Sequence, residues 1–171
     1  IDGDLRKPDI HKIVNLPERT VGLREVASGI CIFEDAVFED YHPNLDVLRA
    51  CGSTNFDSVQ LLSGRGIIEF LEQMAGKYDH IIIDTSPILA APDAMLWARL
   101  ADAVVLSSLS GVTTSSALKT ALERLAKIKV RVLGNVLANV ADRPGYGYGH
   151  NYYDYSYGKN NKGKKKRSYT S

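Results

Sequence analysis

Two short segments end a hydrophobic run in carboxylates: Ile1-Asp2-Gly3-Asp4-Leu5-Arg6 and Ile81-Ile82-Ile83-Asp84-Thr85-Ser86-Pro87. An Asp at the carboxyl end of a parallel strand emerges at the edge where α/β proteins bind ligands. Carboxylates leaving neighbouring strands supply what a hard dication such as Mg²⁺ asks of a protein: one or two oxygens, beside waters and phosphate groups. Arg6 adds a permanent positive charge suited to phosphate oxygens. Either segment alone reads as an Asp that opens a turn. Both together, in one α/β domain, read as a site for phosphate chemistry.

The elements that must position these residues follow from the hydrophobic pattern. Leu45–Leu48, after Pro43-Asn44, reads as a strand. Val59, Leu62, Ile67, Phe70, Leu71 and Met74 predict a helix over 58–77, interrupted at Ser63-Gly64-Arg65-Gly66 and ending at Gly76. Ile81-Ile82-Ile83 is β-branched throughout, as expected of a central parallel strand buried on both faces. Pro92–Leu100 reads as a helix and Ala103–Leu106 as the next buried strand. Thr113 or Thr114 caps a helix to Lys129 with Ala117, Leu118, Ala121, Leu122 and Leu125 inside, and Val130–Val140 is the last strand. Strands alternating with helices imply an α/β fold with a mostly parallel sheet covered on both faces.

Composition narrows the class. The 171 residues are 44% hydrophobic and 24% charged, which excludes wholesale disorder, collagen and a disulfide-dense miniprotein. Ala103–Leu118, the longest uncharged stretch, is too rich in Ser and Thr to span a membrane well. Cys31 and Cys51 lack metal-ligand spacing and read as buried thiols of a reducing compartment. His11 and His150 are single, without ligand partners at metal spacing.

The net charge of +1 conceals a division. Residues 143–171 carry seven basic side chains against Asp154 alone, a net of +6, so the remainder carries −5. Seven of the nine tyrosines lie there too, among Gly, Asn, Ser and Lys and without one aliphatic residue. Such a segment cannot build a core. The expected organisation is a domain over residues 1–142 and a flexible, basic, tyrosine-rich tail over 143–171. The Lys162–Arg167 run also suits a solvated tail, or a contact with RNA or anionic lipid.

Asp2-Gly3-Asp4-Leu5-Arg6-Lys7-Pro8 resembles the hydrophobic-D-x-D-x-R nucleotide motif of the bacterial tyrosine kinases that control capsule and exopolysaccharide synthesis. Ile81–Pro87 resembles their Walker B motif, hydrophobic-D-T-P-P. Leu45–Gly52, Ala101–Leu106, Thr113-Thr114 and Leu133–Leu137 follow in the family's order, and the tyrosine cluster completes the match. The resemblance spans essentially the whole chain. It implies a P-loop NTPase-like fold, ATP and Mg²⁺, and autophosphorylation of Tyr146, Tyr148, Tyr152, Tyr153, Tyr155 and Tyr157. It implies catalytic roles for Asp2, Asp4 and Arg6, nucleotide contacts through Asp84 and Asp2, and Mg²⁺ held by Asp84 and Asp4. It further implies a ring-like homo-oligomer and a membrane activator or chain-length domain, fused upstream or separate, at the cytoplasmic face of the bacterial inner membrane. No nucleic-acid partner is expected.

Departures from the family carry consequences. Its G-x-x-G-x-G-K-[ST] loop is absent from these 171 residues, and Ile1-Asp2-Gly3 reads as the end of a strand whose start is missing. The expectation is a fragment that by itself binds ATP weakly or not at all, since nothing cradles the β- and γ-phosphates. Ser86 stands where the family has a first proline, Ser53–Asp57 where it has a proline-rich loop, and Ala138-Asn139 where it has Leu-Asn. Two other readings share the residues: a partitioning or septum-positioning P-loop ATPase, and a catalytically silent scaffold of the polysaccharide machinery. The ATPase reading leaves the tyrosine tail without a purpose; an intact Asp2, Asp4, Arg6 and Asp84 set argues against the scaffold.

Overall fold

The opening residues lie between two extended segments and bond to both. In the computed structural model, Asp2 N donates to Leu48 O at 2.9 Å on one side, while on the other Asp84 N donates to Ile1 O at 3.0 Å and Gly3 N to Asp84 O at 2.8 Å. The Asp2–Asp84 contact is a parallel bridge. The structure describes residues 1–17, 19–50 and 57–140; Cys51, the 53–56 stretch and the whole expected tail lie outside the described residues. One compact unit runs from Ile1 to Val140.

The elements in chain order are α1 (Ile10–Ile13), α2 (Leu23–Ala27), α3 (Phe33–Ala36), β1 (Val37–His42), β2 (Leu45–Leu48), α4 (Ser58–Ser63), α5 (Arg65–Ala75), α6 (Asp93–Leu100), β3 (Val104–Leu109), α7 (Ser115–Lys127) and β4 (Val132–Ala138). β1 and β2 form an antiparallel hairpin across Pro43-Asn44, with Asn44 in the left-handed region at φ 63°. The hairpin's irregularity at Asp40 is satisfied by Asp46, whose Oδ1 accepts from Asp40 N at 2.8 Å. β3 and β4 pair in parallel.

The expected break in the long helix is real. α4 stops at Ser63 and α5 starts at Arg65, with Gly64 extended between them. α4 is capped by Asp57, whose Oδ1 accepts from Val59 N at 2.9 Å and Gln60 N at 3.2 Å. Gly66 meets α2 directly: a Cβ there would sit 2.0 Å from Ala27 O, so only glycine lets the helices approach this closely. Ile67, Phe70 and Met74, spaced along one face of α5, enter a core with Leu23, Phe33, Leu48, Leu62 and Trp97. Phe33 packs against the rings of Phe70 and Tyr78 at centroid distances of 6.1 Å each. A second core joins Ala98, Leu106, Ala121 and Leu125. α6 therefore serves both, through Trp97 on one side and Ala98 on the other.

Thr114 is the cap of α7, accepting from Ala117 N at 3.1 Å, while Thr113 Oγ1 accepts from Leu109 N at 2.9 Å. Ala121 and Leu125 are inside as expected, but Leu122 is 42% exposed. Two further expectations need correction. Ile81–Ile83 is an extended segment paired on one edge, with Ile82 78% exposed, and Val105 in β3 is likewise open. The physical reason is local: among the described residues, no element packs over those side chains. Cys31 is half-buried, and burial pushes its thiol above the ordinary range. No described helix is long and apolar enough to cross a membrane.

Candidate functional site

The bridge places the first carboxylates side by side. Asp2 and Asp84 are opposed on neighbouring parallel segments, and residues so paired present their side chains to the same face. The intervening Gly3 lies against the other face. A Cβ on it would stand 2.6 Å from Asp84 O, 2.7 Å from Ile83 Cγ2 and 2.9 Å from Trp97 Nε1, so a side chain is excluded. Trp97 Nε1 donates to Gly3 O at 3.0 Å and pins the segment to α6.

Asp2 is fully buried. Its Oδ2 accepts from Ile10 N at 3.3 Å, while Oδ1 has no hydrogen-bond partner. Burial, reinforced by the negative charges of Asp84 and Asp4, pushes its carboxyl up to about 6. Asp4 is half-buried, and its Oδ1 accepts from Arg6 N at 3.1 Å and Lys7 N at 3.0 Å, which fixes the carboxylate against its own turn. Asp84 is exposed. Two residues on, the hydroxyl of Ser86 is buried without a partner.

Arg6 is held by neighbours that its own segment does not supply. Its Nε donates to Asp93 Oδ2 at 2.7 Å and its Nη2 to Asp93 Oδ1 at 3.1 Å, a two-point fork onto a carboxylate with no exposed surface. Ser58 Oγ closes the cluster, donating to Asp93 Oδ1 at 3.0 Å and accepting from Arg6 Nη2 at 3.2 Å. Arg6 thus links the Asp4 turn to α4 and α6, with its side chain half exposed. The sequence offers one faint signal for Asp93, an acid in the first turn after Pro92, which reads equally as a favourable helix start.

The donors suit a hard dication. They are all oxygens, and a buried carboxylate oxygen with no partner lies beside the Asp84 strand end. Among the described residues no three His, Cys, Asp or Glu side chains gather into a metal cage. A cavity of about 380 Å³ lined in part by Arg24, Ile30, Asp57, Leu61 and Gly66 contains none of these carboxylates. The carboxylates, not the hollow, mark the candidate site. The six candidate phosphoacceptors, Tyr146 to Tyr157, lie outside the described residues.

No protein-family model matches the chain. Individual proteins do. The chain is 38% identical over 137 residues to the tyrosine-protein kinase YwqD of Bacillus subtilis (strain 168), covering 80% of this chain and 57% of that protein. It is 28% identical over 139 residues to the succinoglycan biosynthesis transport protein ExoP of Rhizobium meliloti (strain 1021), covering 80% of this chain and 18% of that protein. Its fold matches the crystal structure of the VpsO kinase domain with a TM-score of 0.76 at 29% identity, covering 82% of this chain and 68% of that one. The chain therefore spans little more than half of YwqD and a small part of ExoP.

Proposed function

Because the chain belongs to the bacterial tyrosine-protein kinases, we propose that it is part of an ATP-dependent kinase that phosphorylates tyrosines of its own C-terminal segment and so regulates capsular or exopolysaccharide synthesis and export. The observation that carries this reading is the bridged carboxylate pair, Asp2 and Asp84, with Asp4 held one turn away. The tyrosine-rich segment supplies the acceptor that the rival ATPase reading lacks.

In this reading Asp84 and Asp4 would hold Mg²⁺, with Asp2 completing the surroundings of the metal and the nucleotide. When bound, the ion neutralises charge on the phosphates of ATP. Asp4 receives the proton of the attacking tyrosine hydroxyl, whose ordinary value near 10 requires a base as the bond forms. The phenolic oxygen bonds to the γ-phosphorus, the bond from that phosphorus to the β–γ bridging oxygen breaks, and ADP leaves. The two turn amides on Asp4 Oδ1 orient that carboxylate for the transfer. Arg6 contributes by holding the turn.

Tyr146, Tyr148, Tyr152, Tyr153, Tyr155 and Tyr157 are the proposed acceptors, presented to a neighbouring copy in a ring. Each phosphate brings about −1.5 to −2 charges, so three or four reverse or cancel the +6 of residues 143–171. Phosphorylation would then loosen contacts between copies. A membrane activator, fused or separate, would place the assembly at the inner face of the membrane.

The test is intact-mass spectrometry with peptide mapping of the full-length protein after Mg-ATP, beside Asp84→Asn and a variant with every tail tyrosine replaced by Phe. Phosphate on tail tyrosines that disappears in Asp84→Asn supports the kinase. ATP consumed without protein phosphate points to the partitioning-type ATPase, and neither reaction to a silent scaffold.

A further inference from the structure

We propose that Asp93, with Ser58, is a positioning residue for phosphoryl transfer that acts through Arg6 on Asp4; this rests on the kinase reading. Asp93 is the first residue of α6 and has no exposed surface, yet both its oxygens are engaged. Oδ2 takes Arg6 Nε at 2.7 Å, and Oδ1 takes Arg6 Nη2 at 3.1 Å and Ser58 Oγ at 3.0 Å. A guanidinium is a planar fork, so two bonds to one carboxylate set its orientation as well as its place.

The same residue that this clamp seats holds the catalytic turn by its main chain. Arg6 N donates to Asp4 Oδ1 at 3.1 Å, and the next amide, Lys7 N, does so at 3.0 Å. Upstream, Gly3 is fastened to Asp84 and Trp97. The turn is therefore anchored at one end by strand pairing and at the other by Asp93. With the clamp released, the far end of the turn loses its side-chain tether although Leu5 stays in the core, and Asp4 loses its fixed aim while ATP and Mg²⁺ keep their other contacts.

The test is a double-variant cycle in the full-length protein, reading kcat and KM for Mg-ATP from phosphate transferred to tyrosine. Asp93→Asn and Arg6→Lys should each lower kcat roughly 10- to 100-fold with KM nearly unchanged, since misaiming a reacting group costs about that much. In an Asp4→Asn background, Asp93→Asn should cost nothing further. Ser58→Ala, which removes one hydrogen bond and leaves the ion pair, should give a smaller loss. Losses that multiply in the double variant, or a kcat that falls only as the folded fraction falls in thermal unfolding, would overturn the proposal. Should Asp93→Asn not fold, Arg6→Lys at its half-exposed position carries the same cycle. If the wild type consumes ATP without phosphorylating protein, the kinase reading fails, and the cycle read on ATP hydrolysis still decides whether Asp93 and Asp4 are coupled.

Discussion

Gly3 N donates to Asp84 O at 2.8 Å, so two carboxylate-bearing segments that lie eighty residues apart in the chain share one register at the site. The bond leaves no room for a side chain on the residue that makes it. That crowding, with the burial of Asp2 beside it, sets the stability costs that this site imposes on the fold.

Gly3→Ala should destabilise the protein by about 3 kcal/mol or prevent folding, because its methyl would collide with Asp84 O, Ile83 and Trp97. Chemical denaturation, with Trp97 fluorescence as the probe, measures it. A loss under about 0.5 kcal/mol would mean that the two segments are not held this closely.

Asp2 gives the fold a pH dependence of unusual sign. Its folded carboxyl is raised to about 6 from an ordinary 3.8, so the native state holds this proton more tightly than the unfolded chain. The contribution is complete below about pH 4 and is lost as pH rises through 6, a change on the order of 2–3 kcal/mol. Without metal, wild type minus Asp2→Asn should therefore become less favourable to wild type from pH 4 to 7. Mg²⁺, which needs the ionised form, should bind more weakly below pH 6, and calorimetry should register proton release on binding there. A flat difference curve would refute the raised value.

Tyr78 donates to Asp46 Oδ2 at 2.5 Å, and this bond is the main cause holding the Asp46 carboxyl below its ordinary value. Tyr78→Phe should cost about 1–2 kcal/mol at pH 7. Since a depressed carboxyl contributes above its unfolded value and loses that contribution as pH falls, the difference should shrink toward pH 3. Denaturation at the two pH values decides it.

Leu125 and Leu122 lie on one helix but differ in burial, fully enclosed against 42% exposed. Leu125→Ala should cost about 2–5 kcal/mol. Leu122→Ala should stay within about 1 kcal/mol. Equal losses would mean that α7 is rotated from this placement.

Much of the fold is legible in the sequence where a short-range pattern carries it. The α5 stripe of Ile67, Phe70 and Met74, the break at Gly64, the Thr114 cap and strand β2 all follow from periodicity and local hydrogen bonding. β1 escaped that reading, although Pro43-Asn44 is a two-residue turn signal, because Glu39, Asp40, Tyr41 and His42 do not alternate hydrophobic with polar. Ile82 shows the converse: its β-branched type predicts burial, yet burial depends on a neighbour that no local pattern supplies.

For the site, the sequence by itself determined which carboxylates end which hydrophobic runs, and so which oxygen donors the proposed Mg²⁺ and phosphate chemistry can call on. Only the tertiary structure decided their company. It bridged Asp2 to Asp84, buried one and exposed the other, and turned Arg6 onto Asp93, a residue eighty-seven positions away. The reason is physical. Residue type and spacing set what a side chain can bind, whereas desolvation and pairing depend on through-space neighbours that the chain brings together only on folding.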